Sequence, residues 1–181
     1  PVILAQNGQK LSKRHASVSI REYEEQGYLP DAMLNYLVRL GWSHGDQEIF
    51  TRQELIEKFD FEHVGAGGAK YDLKKLEAVQ REHMKLLKRE DLANKVRHFV
   101  EQLGYLGVQQ DVLTAASGSV QSRASTLKDA AQRMDFYFRD EPAMDAASVK
   151  KFLTPTALPL LQEFSNVLAR IPEPLTEAAL T

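Results

Sequence analysis

Cysteine is absent from the 181 residues of this sequence. A disulfide framework, a zinc site with thiolate ligands and a cysteine nucleophile are therefore excluded. The five histidines are scattered, and none has acidic or histidine neighbours at the spacing of a zinc site, so we predict no metal centre. Long apolar runs are missing too, so the sequence predicts no membrane-spanning helix and no membrane partner.

A start methionine and a basic leader are also missing. The chain opens on Pro1 and four apolar residues, a pattern that resembles neither a signal peptide nor a natural start. Residues 175–180 have the pattern of a helix that has only just begun. We therefore expect both ends to be cuts made inside a longer chain.

Charge of one sign is not in excess. Lys and Arg number 23 and Asp and Glu 25, so the formal net charge is −2 and the pI about 6.3. Any contact with nucleic acid must therefore come from a local basic patch. Hydrophobic residues make up 43% and charged residues 27%, the balance of a globular protein with one ordinary domain or two small ones.

Strand signals are few and lie at the front of the chain. Residues 2–6 and 9–11 flank Asn7-Gly8, a dipeptide typical of a two-residue type I′ turn, and so predict a β-hairpin. Residues 64–69 are rich in glycine and predict a loop.

Helix signals dominate the rest of the chain. Capping-box patterns, a proline and an aspartate cap mark helix starts at Ser19, Pro30, Thr51 and Asp72. Later helices are expected at about 91–103, 108–117, 125–138, 145–153 and 155–171. The fold class predicted is mainly α, with helical bundles behind a short N-terminal β-hairpin.

One short segment has a composition that indicates chemistry. It places three cations within five residues, in the run Lys10-Leu11-Ser12-Lys13-Arg14. Residues 1–21 contain no acidic residue. A mobile basic loop of this type suits a triphosphate, because attack at the α-phosphorus builds up charge that cations stabilise. On composition alone, a solvated surface loop is the commoner explanation of such a run.

The surrounding sequence favours a functional role for this run over a solvated surface loop. The run resembles the Lys-Met-Ser-Lys-Ser/Arg signature of class I aminoacyl-tRNA synthetases, with Leu11 as a volume-conserving replacement for the usual Met. Further segments, in the same order and spacing, resemble bacterial-type glutamyl-tRNA synthetase: Gly27-Tyr28-Leu29-Pro30, Asn35-Tyr36-Leu37, Leu40-Gly41-Trp42-Ser43, Tyr71-Asp72-Leu73-Lys74-Lys75-Leu76 and Arg123-Ala124-Ser125-Thr126-Leu127-Lys128. The family's first signature, a His-Ile-Gly-His-like motif, and its glutamate pocket have no counterpart in these residues.

The resemblance implies a division of the chain. Residues 1–15 would be the tail of the catalytic domain, 16–88 a stem-contact helical region and 89–181 the first part of an anticodon-binding helical domain. It also implies that the parent is a glutamate–tRNA ligase, a cytoplasmic monomer that attaches glutamate to its tRNA using ATP with Mg, through a glutamyl-adenylate. We expect the segment alone to be inactive.

The resemblance assigns roles in the basic loop. Lys13 would contact the ATP phosphates and stabilise the departing pyrophosphate. Lys10 and Arg14 would support it electrostatically, while Leu11 and Ser12 shape the loop.

Two further sets of cations are candidates for tRNA contacts. From residue 70 to 97 the chain has nine basic residues against five acidic ones, and four of them fall on one stripe at helical spacing: Lys74, Arg81, Lys85 and Lys88. Such a stripe suits phosphates, although a solvated helix face is the simpler alternative. Arg123 and Arg133 are candidates for reading a base edge. Arg123 is favoured because it lies in a segment that resembles the family, and the alternative for it is an arginine that caps a helix or forms an ion pair.

Other functions remain open at this point. A stand-alone helical RNA-binding or interaction module without catalysis would have a similar composition, although it would not need the basic loop. Glutaminyl-tRNA synthetase is disfavoured because that relative reads the anticodon with β-barrels, whereas strand signals here end before residue 15.

Overall fold

The computed structural model describes residues 2–11, 19–139 and 144–170. The chain divides into two compact units, Pro1–Arg139 and Asp140–Thr181. Three residues of the basic loop, Ser12, Lys13 and Arg14, lie outside the described residues.

The mainly helical fold class is confirmed, with nine α-helices among the described residues. The first unit contains α1 (Ile20–Glu25), α2 (Pro30–Arg39), α3 (Arg52–Lys58), α4 (Leu73–Leu86), α5 (Arg89–Gln102), α6 (Gln110–Val120) and α7 (Leu127–Met134), the last followed by a 3₁₀ turn at Asp135–Tyr137. The second unit contains α8 (Ala146–Phe152) and α9 (Leu158–Leu168). No helix in the described ranges combines the length and the apolar character needed to cross a bilayer.

The predicted hairpin forms, but its turn is of another type. The Gly8 N–H donates to the Ala5 carbonyl at 2.9 Å, and the Ala5 N–H donates to the Gln9 carbonyl at 2.8 Å. These bonds enclose a three-residue connection that ends on Gly8 at φ +81°. The prediction of a two-residue type I′ turn is therefore wrong. Asn-Gly occurs in both turn types because each needs a left-handed glycine.

A parallel strand pair extends the hairpin in a way that the sequence did not predict. Strand β1 (Ile3–Leu4) pairs with β2 (Ala69–Lys70), with Ile3 opposite Ala69. β2 thus begins at the last residue of the predicted loop. Gly68 allows this approach, since a Cβ there would lie 2.6 Å from the Leu4 side chain.

All four predicted helix starts are confirmed. At the start of α3, the Thr51 hydroxyl accepts a hydrogen bond from the Glu54 N–H, and the Glu54 carboxylate accepts one from the Thr51 N–H at 2.8 Å. The bond from the Thr51 N–H, with side-chain bonds from Gln47 and Thr51, lowers the pKa of Glu54 to about 2. Ser19 forms the same reciprocal cap on α1, and the Asp72 carboxylate accepts the Lys74 N–H at 2.9 Å.

The later helices are shorter than predicted or shifted by a few residues. The helix expected at 125–138 begins at Leu127, because the Thr126 hydroxyl caps it, and ends at Met134. The helix expected from residue 155 begins only at Leu158. Helix ends commonly carry such errors, because the terminal turns lack full intrahelical hydrogen bonding.

The main core of the first unit lies between α5, α6 and α7. Its largest fully buried side chains include Leu92, Leu113 and Met134. Leu29 of the α1–α2 turn and Met84 of α4 belong to the same cluster. The core is therefore continuous across the junction between residues 88 and 89. Division of the chain at that junction stays a prediction.

Candidate nucleic-acid interface

The first two residues of the basic loop, Lys10 and Leu11, are paired with β1. Lys10 forms an antiparallel bridge with Leu4 and is exposed. The Leu11 N–H donates to the Ile3 carbonyl at 2.9 Å. The hairpin is tied in turn to β2, which precedes α4. The start of the loop is thus anchored to the beginning of α4.

Three tyrosines fix the beginning of α4 against the first two helices. The Tyr36 hydroxyl accepts the Asp72 N–H at 2.6 Å, and the hydroxyls of Tyr23 and Tyr71 are hydrogen-bonded to each other. Burial and the neighbouring Tyr23 phenol raise the pKa of Tyr71, so this phenol stays neutral at physiological pH. The hairpin, α1, α2 and α4 therefore meet at one rigid junction.

The solvent-exposed face of α4 carries three of the four cations that the sequence predicts for one helical stripe. Lys74, Arg81 and Lys85 follow one another at steps of seven and four residues, and all three are exposed. Lys85 forms an ion pair of 2.7 Å with Glu82, and both side chains are about half exposed. We call Lys74, Arg81 and Lys85 the α4 stripe.

The fourth cation does not belong to that helix. α4 ends at Leu86, Leu87 is extended, and Lys88 is the residue before α5. Its expected position on one continuous helical stripe is therefore wrong, although it lies exposed beyond the end of α4. A side chain distant in sequence caps this end: Gln121 donates to the carbonyls of Met84, at 2.9 Å, and Leu87, at 2.7 Å. These bonds satisfy groups that the end of a helix leaves unpaired.

A buried polar cluster fixes the rotation of α4. His83 is 5% exposed, and its Nε2 donates to Asn35 Oδ1 at 2.9 Å. Asn35 also accepts the Phe50 N–H at 2.9 Å and donates to the Glu48 carbonyl at 3.0 Å. Gln80 accepts the Leu29 N–H at 2.9 Å. Asn35 belongs to a segment that carries the family resemblance, but the sequence did not predict the buried contacts of Asn35, Gln80 and His83, because a buried amide gives no periodic signal.

Arg123 lies in the turn after α6. One of its guanidinium nitrogens donates to the Ser119 carbonyl at 3.1 Å, and the side chain is exposed. Among the described residues, no carboxylate lies within salt-bridge distance of it. Part of the guanidinium fork is thus available for another acceptor.

Arg133 is differently placed. Its guanidinium forms an ion pair of 2.9 Å with Asp129, which also accepts the Ser125 N–H at 2.7 Å. Burial of Asp129 opposes ionisation, but the bonds from Ser125 and Arg133 prevail and lower its pKa. Arg133 is therefore an ion-paired arginine.

Two segments that carry the family resemblance meet in space. The Leu127 N–H donates to the Gly27 carbonyl at 2.9 Å. Gly27 has φ +81°, and a Cβ there would lie 2.6 Å from the Lys128 nitrogen. The turn after α1 therefore contacts the start of α7 directly, which fixes the Arg123 segment relative to α1 and α2.

No group of three or more acidic or histidine side chains in the described ranges could hold a metal ion. The arrangement is instead a set of exposed cations on a rigid helical scaffold. Its chemistry suits electrostatic contact with a phosphate backbone.

Comparison with protein families divides the chain in two. A family model for the catalytic domain of class I tRNA synthetases (E and Q) matches residues 1–78. A model for an anticodon-binding domain matches residues 91–181.

Curated proteins similar to this chain carry the name glutamate–tRNA ligase. One from Cupriavidus necator is 42% identical over 178 residues, which are 98% of this chain and 38% of that protein. One from Desulfosudis oleivorans is 41% identical over 177 residues, again 98% and 38%. The chain thus spans less than two fifths of the length of these relatives.

Solved structures extend the similarity to the fold. A glutamate tRNA ligase from Elizabethkingia meningosepticum, in complex with its amino acid, matches with a TM-score of 0.78 and 26% identity, over 93% of this chain and 37% of that one. The glutamate-tRNA synthetase from Elizabethkingia anophelis matches with a TM-score of 0.75 and 25% identity, over 94% and 37%.

Proposed function

We propose that this chain, which belongs to the glutamate–tRNA ligase family of class I tRNA synthetases, supplies tRNA contacts to an enzyme that attaches glutamate to its tRNA. The observation that carries the proposal is the match of residues 91–181 to an anticodon-binding domain. The exposed cations on α4 support it, because phosphate contacts provide most of the affinity for nucleic acid.

The proposed contacts fall in two regions. The α4 stripe, with Lys88 beyond the end of its helix, binds the phosphate backbone without reading sequence. Arg123 lies in the anticodon-binding region, where its partly available fork hydrogen-bonds a base edge. The contact between Gly27 and Leu127 holds the two regions at a fixed distance from each other.

The basic loop contributes to activation of glutamate in the same enzyme. ATP supplies the adenylyl group, and Lys13 stabilises negative charge on its phosphates, with Lys10 and Arg14 beside it. Lys10 fits this role, because it is exposed at the start of the loop and pairs with no carboxylate of the described residues. A group of this kind contributes about 2.7–4 kcal/mol to the transition state.

Binding titrations across a salt series test the tRNA contacts. The 181-residue chain is titrated with labelled glutamate-acceptor tRNA from low to moderate salt, and the slope of log K against log salt concentration is measured. Lys74→Gln should reduce that slope by about 0.7–0.9, because one phosphate contact is lost.

Arg52→Gln is the control, since Arg52 is an exposed cation on α3, outside the α4 stripe and outside residues 91–181, and is already paired with Asp31 at 2.7 Å. It should leave the slope unchanged. A slope that Lys74→Gln does not alter, or absence of tRNA binding at low salt, would contradict the proposed role of the stripe.

A further inference from the structure

A cavity lies beside the α4 stripe, in the first unit. It has a volume of about 500 Å³, and its lining comes from α2, β2, α4 and the loop before α3, at Glu48 and Ile49. Pockets for small molecules occupy about 300–1,000 Å³. The cavity is therefore large enough for a ligand the size of a nucleotide.

Four cations lie in the lining. Arg39, Lys70, Lys75 and Arg81 all contribute to it. In the described part of the chain, no salt bridge joins any of these four to a carboxylate. Two acidic residues also line the cavity, but Glu82 is paired with Lys85 at 2.7 Å. The lining thus carries an excess of positive charge, which an anion would neutralise.

Part of the lining is apolar. Leu40, Ile49 and Val79 contribute hydrocarbon surface. A small inorganic anion would leave this surface uncovered. A ligand that joins a charged group to a flat, weakly polar body would use both parts of the cavity.

The walls are held in place before any ligand binds. The Glu48 carbonyl accepts a bond of 3.0 Å from Asn35, which is itself bound to His83 of α4. Pairing of β2 with β1 fixes the Lys70 backbone. An Arg39 guanidinium nitrogen donates to the Trp42 carbonyl at 3.3 Å. Such preorganisation reduces the entropy lost on binding.

We propose that this cavity binds a nucleoside phosphate. The cations contact the phosphate oxygens, the apolar residues contact the base, and the Glu48 carboxylate accepts hydrogen bonds from ribose hydroxyls or an exocyclic amine. Either a free nucleotide or an unpaired nucleotide of a bound RNA has this chemistry. The site goes beyond the proposed phosphate contacts of the α4 stripe, with which it shares only Arg81.

Adjacent lysines on α4 provide a matched test. Lys75 lines the cavity and Lys74 belongs to the stripe, and both are exposed. The 181-residue chain is titrated calorimetrically with AMP, adenosine and inorganic phosphate, as wild type, Lys75→Gln and Lys74→Gln. AMP should bind more tightly than adenosine or inorganic phosphate. Lys75→Gln should weaken AMP binding about tenfold, because one charge-assisted hydrogen bond is lost, and Lys74→Gln should not weaken it.

A second variant fills the cavity without changing its charge. Ala78 lies in its lining and is exposed, so Ala78→Leu adds volume without disturbing the core. This variant should keep the thermal midpoint of wild type and lose AMP binding. If it also weakens tRNA binding, an RNA nucleotide occupies the site; if tRNA binding is unchanged, a free nucleotide does.

The outcome that would overturn the inference is separate from failure of the proposed function. Absence of AMP binding to wild type, or equal losses from Lys74→Gln and Lys75→Gln, would reject the cavity as a nucleotide site. The salt slope for tRNA and its change in Lys74→Gln would still test the stripe by itself.

Discussion

At the residue scale, Asn35 connects three elements through one side chain. It accepts from His83 of α4 and from the Phe50 backbone, and it donates to the Glu48 carbonyl. Because the Asn35 amide oxygen only accepts, His83 must carry its proton on Nε2. A histidine that donates from Nε2 is thus part of the fold that presents the α4 stripe.

Burial of His83 predicts that the free energy of unfolding increases with pH. Burial lowers its pKa, and this effect prevails over the opposite effect of Asp31. Below pH about 6.5 the unfolded chain binds a proton there that the folded chain does not. The free energy of unfolding should therefore fall as the pH is lowered from about 7.5 towards about 5.5, and chemical denaturation at each pH measures it.

The control for this prediction is an exposed histidine. His98→Gln should keep the pH dependence, since His98 lies on the surface of α5. His83→Gln should flatten it, whatever its effect on stability at neutral pH. A pH dependence that survives in His83→Gln would assign the effect to another group.

Substitution of Lys13 tests whether the basic loop serves catalysis rather than tRNA binding. In a full-length synthetase that carries this segment, Lys13→Ala should lower the rate of adenylate formation by about 10²–10³, because a charge that stabilises the transition state is lost. Affinity for tRNA should hardly change. Lys74→Ala should show the reverse pattern in the same two assays, and a loss of tRNA affinity alone in Lys13→Ala would contradict the role of the loop.

At the element scale, neighbouring side chains cap the starts of α1 and α3, whereas a distant side chain caps the end of α4. Ser19 and Thr51 cap their own helices through a glutamate three residues later, so the sequence alone predicts these starts. Gln121 caps the end of α4 from 34 residues away or more, and no local pattern contains that information. For the same reason the helical spacing placed Lys88 on a stripe that ends before it.

The strand pair shows a second limit of local patterns. β1 and β2 have two residues each, and a two-residue strand has no alternation to detect. The residues of the nucleotide cavity come mainly from α2, α4 and β2, so their proximity depends on this pairing and on helix packing. The sequence predicted exposed cations on α4, but it did not predict that cations from α2, α4 and β2 would line one cavity.

Gly27 tests the contact between the α1–α2 turn and α7. An alanine there would incur about 1–2 kcal/mol for its left-handed backbone, and about 1–3 kcal/mol more for crowding Lys128. Gly107 is the control: it has φ +73°, and no atom lies within 4 Å of the position that a Cβ would take there. Gly107→Ala should therefore incur only the cost of the left-handed backbone. Urea denaturation of both variants should show the larger loss for Gly27→Ala, and equal losses would mean that the contact relaxes freely.

At the scale of the whole molecule, one continuous core contains residues from both segments of the chain that match a family model. Leu29 and Met84 come from the part before residue 88, and they pack with α5, α6 and α7 in one cluster. Together with the Gly27–Leu127 bond, this core makes the proposed stem-contact region and the start of the anticodon-binding region one compact unit. A tRNA that binds α4 would therefore meet Arg123 at a defined distance.

The proposed base contact of Arg123 predicts an effect that depends on the anticodon sequence. In a full-length synthetase, Arg123→Ala should cost about 1–3 kcal/mol of binding free energy on a tRNA with the matching anticodon, and little on one whose anticodon is changed. Arg133→Ala is the matched control, because the Arg133 guanidinium is already engaged by Asp129, and it should affect both tRNAs alike. Paired titrations of each variant with the two tRNAs measure the difference. Equal losses on both tRNAs in Arg123→Ala would make this arginine a phosphate contact, since phosphates are the same under every anticodon.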